Sequence, residues 1–567
     1  MVANYFRDNP RLRQRLDATP WSALLPPLEN DFSDSHEMAP ASLEEATEQI
    51  EMVLELIGEM AAEEIAPHAA EVDEVGARLV DGEVVYPEPV RKAFRMLADA
   101  GLLGFTLPRE FGGLNLPITA YTAAVEIVAR ADASLMTLYA LQGCGETIHH
   151  FGSREQQLEY LPRLCAGEIT PCMALTEPDA GSALGSARCP ATLGDDGEWT
   201  INGSKCWITN GGADLLLVLC RTEEAEGGDG LSLLIAEKGP HVEVAKLEDK
   251  LGIHGSATAV VNFNGTPARL LGNRGEGLYK VTLGLLHNVR LEVAAQAIGI
   301  AEAAQAEAAR YASERRQFGR SIDSFAPVRN MLFSNALEIE AARAVVYTTS
   351  SVVDRRRGLH RKGGGPDAER YEKIADLMTP LSKYYACEMV NEVTSRAIQV
   401  HGGYGYSREY PVERLHRDGR ITNIYEGTSE IQVGAMIGPL LRGGLPMLFE
   451  EPLRDVEEPA SCPGVRERLR SAYEMLLTAA PVAVEAGRMA EQGYARGFAD
   501  ATGDLVAGLV FLRDASSDER SAVLAQHQSV LAHRRATEVL HTVSEKFDLS
   551  FADASFEAIV APYRGNA

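Results

Sequence analysis

The sequence predicts a mostly helical α+β protein in which a β domain lies between two helical domains and an additional helical module follows. The hydrophobic spacing changes from a helical period to short strand-like runs and back, and a proline-containing stretch then precedes a last helical region. The predicted parts are an N-terminal extension 1–41, a helical domain 42–172, a β domain 173–272, a helical bundle 273–441, a linker 442–464 and the module 465–567.

The composition is typical of a soluble globular chain of several domains. It has 567 residues, of which 45% are hydrophobic, and a formal net charge of −27. The charge argues against nucleic acid as the main partner, because phosphate binding needs a basic face. The chain shows no apolar run near the roughly 20 residues that span a bilayer and no signal core, so a cytoplasmic protein is predicted. Its eight cysteines have no zinc spacing, which favours reduced packing residues and no metal site.

The N-terminal extension and the helical domain that follows it have different sequence patterns. Prolines are frequent in the extension, which we expect to form short helices or loops that wrap the surface. A capping-box pattern at Ser42 to Glu45 then opens the helical domain. Apolar residues follow at helical spacing: Ile50, Val53, Leu54, Ile57 and Met60.

The β domain and the bundle are recognised by opposite patterns. Short apolar runs such as 215–220 and 231–236 predict strands, and Asn202-Gly203 predicts a turn between two of them. Helical periodicity returns in three long segments with short connections, which predicts an antiparallel bundle. Four prolines in 442–464 predict a linker, and the module beyond it has apolar faces that need a partner surface.

Tyr425-Glu426-Gly427 is a candidate site for a general base. An aromatic neighbour limits water, a glycine lets a substrate approach, and partial burial raises a carboxylate pKa toward working pH. Taken alone the motif is weak, since the chain has 81 acidic residues and an arbitrary glutamate is a solvated surface group.

Two stretches of the β domain suit a flat or phosphate-bearing ligand. The loop 175–182 (LTEPDAGS) has small and hydroxyl residues that expose backbone N–H groups. In 202–211, Trp207 and Thr209 point to one face of a strand, where an indole can cover a heterocycle while a hydroxyl bonds a ring nitrogen. Taken alone, the first stretch is more simply an ordinary loop, and a core tryptophan beside a turn explains the second at least as well.

Two stretches of the bundle have similar alternatives. Arg315 with Gln317 suits a pyrophosphate, although a helix-end ion pair also explains the arginine. The glycines of 399–406 are ordinarily helix C-caps, and they form no Rossmann fingerprint because they follow a helix.

Together with Arg290 in RLEVAAQA, these stretches resemble the acyl-CoA dehydrogenase family in type, order and spacing over about residues 43–440. The resemblance implies a helical domain, a β domain and a helical bundle with FAD between them. It also implies the family's role in fatty-acid β-oxidation. A C-terminal helical addition is known in the very-long-chain branch and in some bacterial relatives.

The resemblance assigns roles to particular residues. Glu426 is implied as the base that takes the α-proton of the thioester, with the β-hydrogen leaving as hydride to FAD and a trans-2-enoyl-CoA as product. Arg290, Ser182 and Gly427 are implied at the acyl-CoA. The implied FAD contacts are Leu175, Thr176, Ser182, Trp207, Ile208, Thr209, Arg315, Gln317, Phe318, Gln399, Gly402, Gly403, Thr428 and Glu430. Among them, 315–318 and 399–403 are implied to meet across a dimer.

Partners and alternatives follow from the same resemblance. The implied electron acceptor is an electron-transfer flavoprotein. An oxidase that uses oxygen, and a catalytically silent flavin-binding relative acting through its C-terminal module, remain alternatives. A homodimer is preferred and a tetramer stays open, as does peripheral membrane contact. Straight, branched, aromatic, alicyclic and thioether acyl groups all remain open.

Three positions depart from the family pattern. His287 stands where many relatives have aspartate, Ala326 where a glutamine often contacts FAD, and His254 where arginine is common. The reaction class is expected to survive these changes, because none of them touches the base.

Overall fold

A strand-rich domain lies between two helical regions in the computed structural model, which confirms the predicted fold class. The structure describes residues 2–195 and 197–545, together with Glu557 and Tyr563. The side chains of 285–288 and of Met489 lie outside this description. The departure at His287 and the rest of the predicted module beyond residue 545 therefore also lie outside the described residues.

The N-terminal region is helical and carries one short hairpin, β1 (Arg78–Val80) with β2 (Glu83–Val85). Its helices are α1 (Pro10–Asp17), α2 (Trp21–Leu28), α3 (Leu43–Met60), α4 (Ala69–Val75), α5 (Glu88–Asp99), α6 (Ile118–Ala131), α7 (Ala133–Tyr139), α8 (Gly143–Phe151) and α9 (Arg154–Cys165). The Ser42 side chain accepts a hydrogen bond from the Glu45 N–H, so Ser42 caps α3, as the capping-box pattern predicted.

The extension 1–41 does more than wrap the surface. Leucines of α1 and α2 are buried in the main core, with Leu12 0% and Leu25 1% exposed. The Arg109 guanidinium forms a buried ion pair with Glu29, 2.8 Å between Nη1 and Oε2. Apolar residues of the extension are thus part of the packed interior, because apolar residues of short helices find a partner surface only through tertiary contact.

The β domain is one sheet of seven strands: β3 (Pro171–Ala174), β4 (Ala191–Leu193), β5 (Trp199–Thr209), β6 (Leu215–Arg221), β7 (Leu231–Glu237), β8 (Val242–Leu247) and β9 (Thr258–Leu271). The strand order is β3-β6-β7-β9-β5-β4, and β8 also pairs with β9. β3 is parallel to β6, and the other pairs are antiparallel.

The predicted turn at Asn202-Gly203 is wrong. Both residues lie inside β5, where the register against β9 shifts between Ile201 and Asn202. Gly203 has φ 139°, a conformation that favours glycine. Bulges and turns require the same backbone freedom, so the dipeptide alone does not distinguish them.

The bundle contains the three predicted long helices, α10 (Leu283–Glu314), α11 (Ala326–Arg361) and α12 (Pro366–His401). A small hairpin, β10 (Arg316–Gln317) with β11 (Arg320–Ser321), joins α10 to α11. Arg343 on α11 is completely buried, and its guanidinium forms ion pairs with Glu126 on α6, Glu302 on α10 and Glu340. This charged cluster connects the bundle to the N-terminal region.

The remaining helices are α13 (Val412–Gly419), α14 (Ser429–Pro439), α15 (Leu445–Asp455), α16 (Val465–Glu485), α17 (Arg488–Asp514) and α18 (Glu519–Ser544). The first half of the stretch predicted as a linker therefore contains a helix, α15. Helices α16 to α18, called the C-terminal module below, share a core with α14 and α15 and pack on α11 and α12. Among the described helices, none combines the length and apolar character required to cross a bilayer.

Candidate active site

The loop between the turn ending at Asn423 and α14 carries Glu426 in an unusual backbone conformation. Glu426 has φ 54° and Gly427 has φ 89°, both in the left-handed region. A non-glycine residue there costs of order 1–3 kcal/mol, so surrounding contacts must enforce it. Thr428 begins the next element, because its hydroxyl accepts a hydrogen bond from the Ile431 N–H and caps α14.

Two buried side chains hold the carbonyls of this loop. The Lys383 ammonium donates to the Gly427 carbonyl at 2.8 Å, and the Gln432 amide donates to the Glu426 carbonyl at 3.0 Å. The Tyr425 hydroxyl donates to Gln296 on α10. Because both anchors of the Glu426–Gly427 segment use backbone atoms, the Glu426 carboxyl is not required to hold the loop.

The electrostatics suit a carboxyl that must accept a proton. Burial raises the pKa of the half-buried Glu426 above its ordinary value, and the cations Lys383 and Arg290 partly oppose this effect. Arg290 is itself buried, which lowers its pKa. A second buried carboxyl, Glu292, is close enough for Glu426 to raise its pKa, which burial already places well above the usual range.

The two β-domain stretches are brought together by contacts that the sequence did not predict. The Cys206 N–H donates to the Thr176 carbonyl at 3.0 Å. The fully buried Lys205 donates to the Leu175 carbonyl at 3.0 Å and to Glu177 at 2.8 Å. Although burial raises the pKa of Glu177, the Lys205 hydrogen bond helps to hold it below its usual value. The sequence signal that could have indicated the role of Lys205 was a lysine among apolar residues of a predicted strand.

Trp207 is exposed in a second bulge of β5. The register against β9 shifts between Lys205 and Ile208, and Trp207 has φ 61° with 60% of its surface exposed. Ile208 is buried, while Thr209 is half-buried. The indole is thus presented as an open flat surface. The bulge interrupts the regular alternation of side chains on which the predicted shared face of Trp207 and Thr209 was based.

The stretches implied at a dimer contact form a separate, exposed group. Arg315, Gln317 and Phe318 lie on or beside the β10–β11 hairpin, and Phe318 is 92% exposed. Gln399 is also exposed, and a Cβ added at Gly402 or Gly403 would meet nothing within 4 Å. The Arg315 guanidinium lies 5.6 Å from the centre of the Tyr404 ring, so the hairpin and the end of α12 are neighbours.

The remaining predicted residues have diverse surroundings. Ser182 is exposed on the 175–182 loop, and Leu175 is buried at its start. Glu430 is exposed on α14 and forms an ion pair with Arg496 of the C-terminal module. Ala326 is exposed at the first position of α11, with no side chain that reaches a ligand.

His254 replaces the expected arginine in an ion-paired cluster. Its Nδ1 lies 2.8 Å from an Asp73 carboxylate oxygen and its Nε2 lies 2.8 Å from the Lys250 carbonyl, while Arg417 binds the same aspartate. The hydrogen bond to Asp73 raises the pKa of His254 although burial opposes it. The site thus keeps a cation at this position only when the imidazole is protonated.

We therefore expect His254 to make stability depend on pH. A raised pKa in the folded state stabilises fully below the ordinary value of 6.5, and the contribution is lost as pH rises through the folded value. Wild type should exceed His254→Gln in unfolding free energy at pH 5.5 by about 1 kcal/mol, because the pair is partly solvated. Chemical denaturation at pH 5.5 and 9 measures this difference, and an equal gap at both values would contradict it.

Lys205→Met is expected to weaken binding of the FAD that the family resemblance implies. The substitution leaves Glu177 and the Leu175 carbonyl without the buried ammonium, so the 175–182 loop is held less firmly to β5 although the Cys206–Thr176 backbone hydrogen bond remains, and affinity for FAD falls about tenfold. Lys246→Met is the matched control, since Lys246 lies on the same sheet in an exposed pair with Glu248. Flavin fluorescence on dilution measures both, and equal affinities would disprove the role of Lys205.

The chain matches three family models, described as acyl-CoA dehydrogenase N-terminal domain over residues 47–168, middle domain over 172–266 and C-terminal domain over 275–438. A short-chain-specific acyl-CoA dehydrogenase of Clostridium acetobutylicum is 35% identical over 406 residues, which cover 70% of this chain and 99% of the relative.

Solved structures are similar in fold as well. A chain from work on the electron-transferring flavoprotein of Acidaminococcus fermentans has a TM-score of 0.62 and 35% identity, covering 70% of this chain and 98% of its own. An acyl-CoA dehydrogenase complexed with FAD from Bacillus anthracis has a TM-score of 0.76 and 25% identity, covering 88% of both chains. The larger coverage means that this likeness extends past the three matched domains.

Proposed function

This chain belongs to the acyl-CoA dehydrogenase family, and from that premise we propose that Glu426 is the base that removes the α-proton of an acyl-CoA thioester. The protein is an oxidoreductase acting on acyl-CoA, and its cofactor is FAD. The surroundings of the Glu426 carboxyl are the observation that supports this assignment of the base. It is half-buried in a left-handed loop, has a raised pKa and has two cations near it.

The residues present fit FAD. Trp207 offers an exposed indole on which a flat ring can lie, and its backbone conformation is strained. Gly402 and Gly403 leave an open backbone surface. When bound, FAD supplies the acceptor for the hydride that leaves Cβ. We propose that Thr176, Trp207 and Thr209 contact its ring, and that Arg315, Gln317 and Phe318 reach the FAD of a second copy.

The chain's own residues perform the proton chemistry. Glu426 must be ionised to accept the α-proton, and the cations Lys383 and Arg290 favour its ionised form in a site where burial favours the neutral acid. The Glu426 backbone N–H is the proposed donor to the thioester oxygen, where it stabilises enolate-like charge. Because only the carboxylate is a base, the rate of proton removal should rise with pH through this raised pKa.

The proposed partners are acyl-CoA and an electron-transfer flavoprotein. The similarity to a chain from the Acidaminococcus fermentans work supports that acceptor. An oxidase using oxygen and a silent flavin-binding relative are the alternatives. The exposed hairpin and the open end of α12 support a homodimer in which each copy completes the other's site.

Anaerobic titration of the FAD-loaded protein with acyl-CoAs of graded length and branching tests this function. Bleaching of the flavin by at least one of them, followed by reoxidation by an electron-transfer flavoprotein much faster than by air, is expected. Full turnover with oxygen alone would identify an oxidase. Failure of every acyl-CoA to bleach the flavin would refute the dehydrogenase proposal.

A further inference from the structure

Glu388, a half-buried carboxylate on α12, binds residues at both ends of the loop that carries Glu426. One of its oxygens, Oε1, accepts hydrogen bonds from the Asn423 amide at 3.2 Å and from the Ser429 hydroxyl. Asn423 and Ser429 stand immediately before and after residues 424–428. A single carboxylate oxygen therefore joins the two ends of the loop.

The other oxygen of Glu388 is held by the C-terminal module. Arg496 on α17 donates from Nη1 to Glu388 Oε2 at 3.2 Å, and from Nε to Glu430 Oε1 at 3.0 Å. Glu430 is the second residue of α14, the helix that begins where the loop ends. One guanidinium thus binds the carboxylate under the loop and the helix that follows it.

The position of Arg496 is set by the way α17 docks on α12. Asp500 and Asp504 follow Arg496 at four-residue intervals, so the three side chains share one face of the helix. The Tyr384 hydroxyl donates to Asp500 at 3.0 Å and the Tyr385 hydroxyl donates to Asp504 at 2.6 Å. This polar seam fixes the register of α17 against α12 and brings Arg496 to Glu388.

We propose that the C-terminal module positions the catalytic loop, with Arg496 as the positioning residue that acts through Glu388 and Glu430. Arg496 lies outside the family match, which ends at residue 438, so this support is supplied by the added helices. The inference rests on the proposed function of Glu426. It gives the module a role in the reaction that does not require contact with the substrate.

The physical effect is on geometry more than on stability. The Arg496 side chain is 45% exposed, and exposed ion pairs contribute at most about 1 kcal/mol to folding. A displacement of a catalytic group by about 1 Å, in contrast, can slow a reaction 10²-fold. Loss of Arg496 should therefore lower the rate of flavin reduction while the fold persists.

Arg496→Ala in the FAD-loaded full chain tests this proposal. We expect flavin reduction at saturating acyl-CoA to slow about tenfold, with KM changed less than twofold. Amide hydrogen exchange in a peptide covering 421–432 should become faster, which reports loop opening independently of activity. Arg496→Lys should recover only part of the rate. Lysine restores the positive charge, but its ammonium lacks the fork that spans two carboxylates.

Arg370→Ala is the matched control. Arg370 forms an exposed ion pair with Glu451 at 2.5 Å, and its side chain is 47% exposed, but this pair lies on α12 and α15 away from the loop. The control should reduce flavin at the wild-type rate with unchanged exchange in 421–432.

The double variant Arg496→Ala/Glu388→Ala separates a shared pathway from two independent defects. If Arg496 acts through Glu388, the fold-loss in rate of the double variant will be smaller than the product of the fold-losses of Arg496→Ala and Glu388→Ala. Wild-type rate and exchange in Arg496→Ala, or multiplicative losses in the double variant, would overturn the proposal while the dehydrogenase function stood. If no acyl-CoA bleaches the wild-type flavin, the function fails, and the exchange comparison alone still decides whether Arg496 orders the loop.

Discussion

Glu426→Gln is expected to retain FAD and to lose reduction of the flavin by acyl-CoA, with the rate falling by about 10²–10⁴-fold. Glutamine keeps the size of the side chain, and the hydrogen bonds from Lys383 and Gln432 go to backbone carbonyls, so the loop should stay in place. What disappears is the group that accepts the α-proton. Anaerobic stopped-flow at saturating acyl-CoA measures the change.

An exposed carboxylate provides the control for this substitution. Glu409 is exposed, and Glu409→Gln should bleach at the wild-type rate. Flavin content by absorbance verifies that each variant is loaded. Rapid and complete bleaching in Glu426→Gln would mean that another group takes the proton, and the buried Glu292 would be the next residue to test.

Arg343→Met is expected to destabilise the fold by roughly 3–5 kcal/mol, the largest structural effect among these predictions. The guanidinium forms ion pairs with Glu126 at 2.7 Å, Glu302 at 3.0 Å and Glu340 at 3.0 Å, and it is completely buried. Its removal leaves these buried carboxylates without that cation. They must then stay charged at high cost or take up protons.

Thermal and urea unfolding of Arg343→Met measure this cost. Arg310→Met is the control, because Arg310 lies on α10 in exposed pairs with Glu307 and Glu314, and its loss should change stability by less than about 1 kcal/mol. The loss at Arg343 should be greatest near neutral pH, because the pKa of Glu302 lies below its usual value although burial raises it, and Arg343 is one of the cations that hold it there. Equal effects of the two substitutions would show that the buried cluster contributes no more than a surface pair.

The order of the domains was predictable from the sequence because periodicity is a local property. The sequence pattern predicts the three long helices over about 275–315, 327–357 and 367–400, and the helices of the bundle agree with these segments to within a few residues at most ends. The family resemblance rested on motifs of adjacent residues, so the stretches carrying Glu426, Trp207 and Arg315 were found without a structure. The roles assigned to those residues stay proposals.

Other features depend on contacts that no local pattern encodes. Lys205 and Glu177 are 28 positions apart, Lys383 and Gly427 are 44, and Arg496 and Glu388 are 108. Each pair meets only after strands or helices have packed. The bulge at Asn202-Gly203 was mistaken for a turn for a related reason, since the pairing with β9 decides which of the two forms.

The sequence by itself determined the class of fold, the family, the flavin cofactor and the short stretches that carry the candidate site. Tertiary structure alone decided that leucines of the extension join the main core, that Lys383 and Arg290 are the cations near Glu426, and that an arginine of the C-terminal module binds Glu388 and Glu430 beside the loop. The physical reason is that periodicity and motifs act over neighbouring residues. Burial and ion pairing depend on which distant surfaces come together.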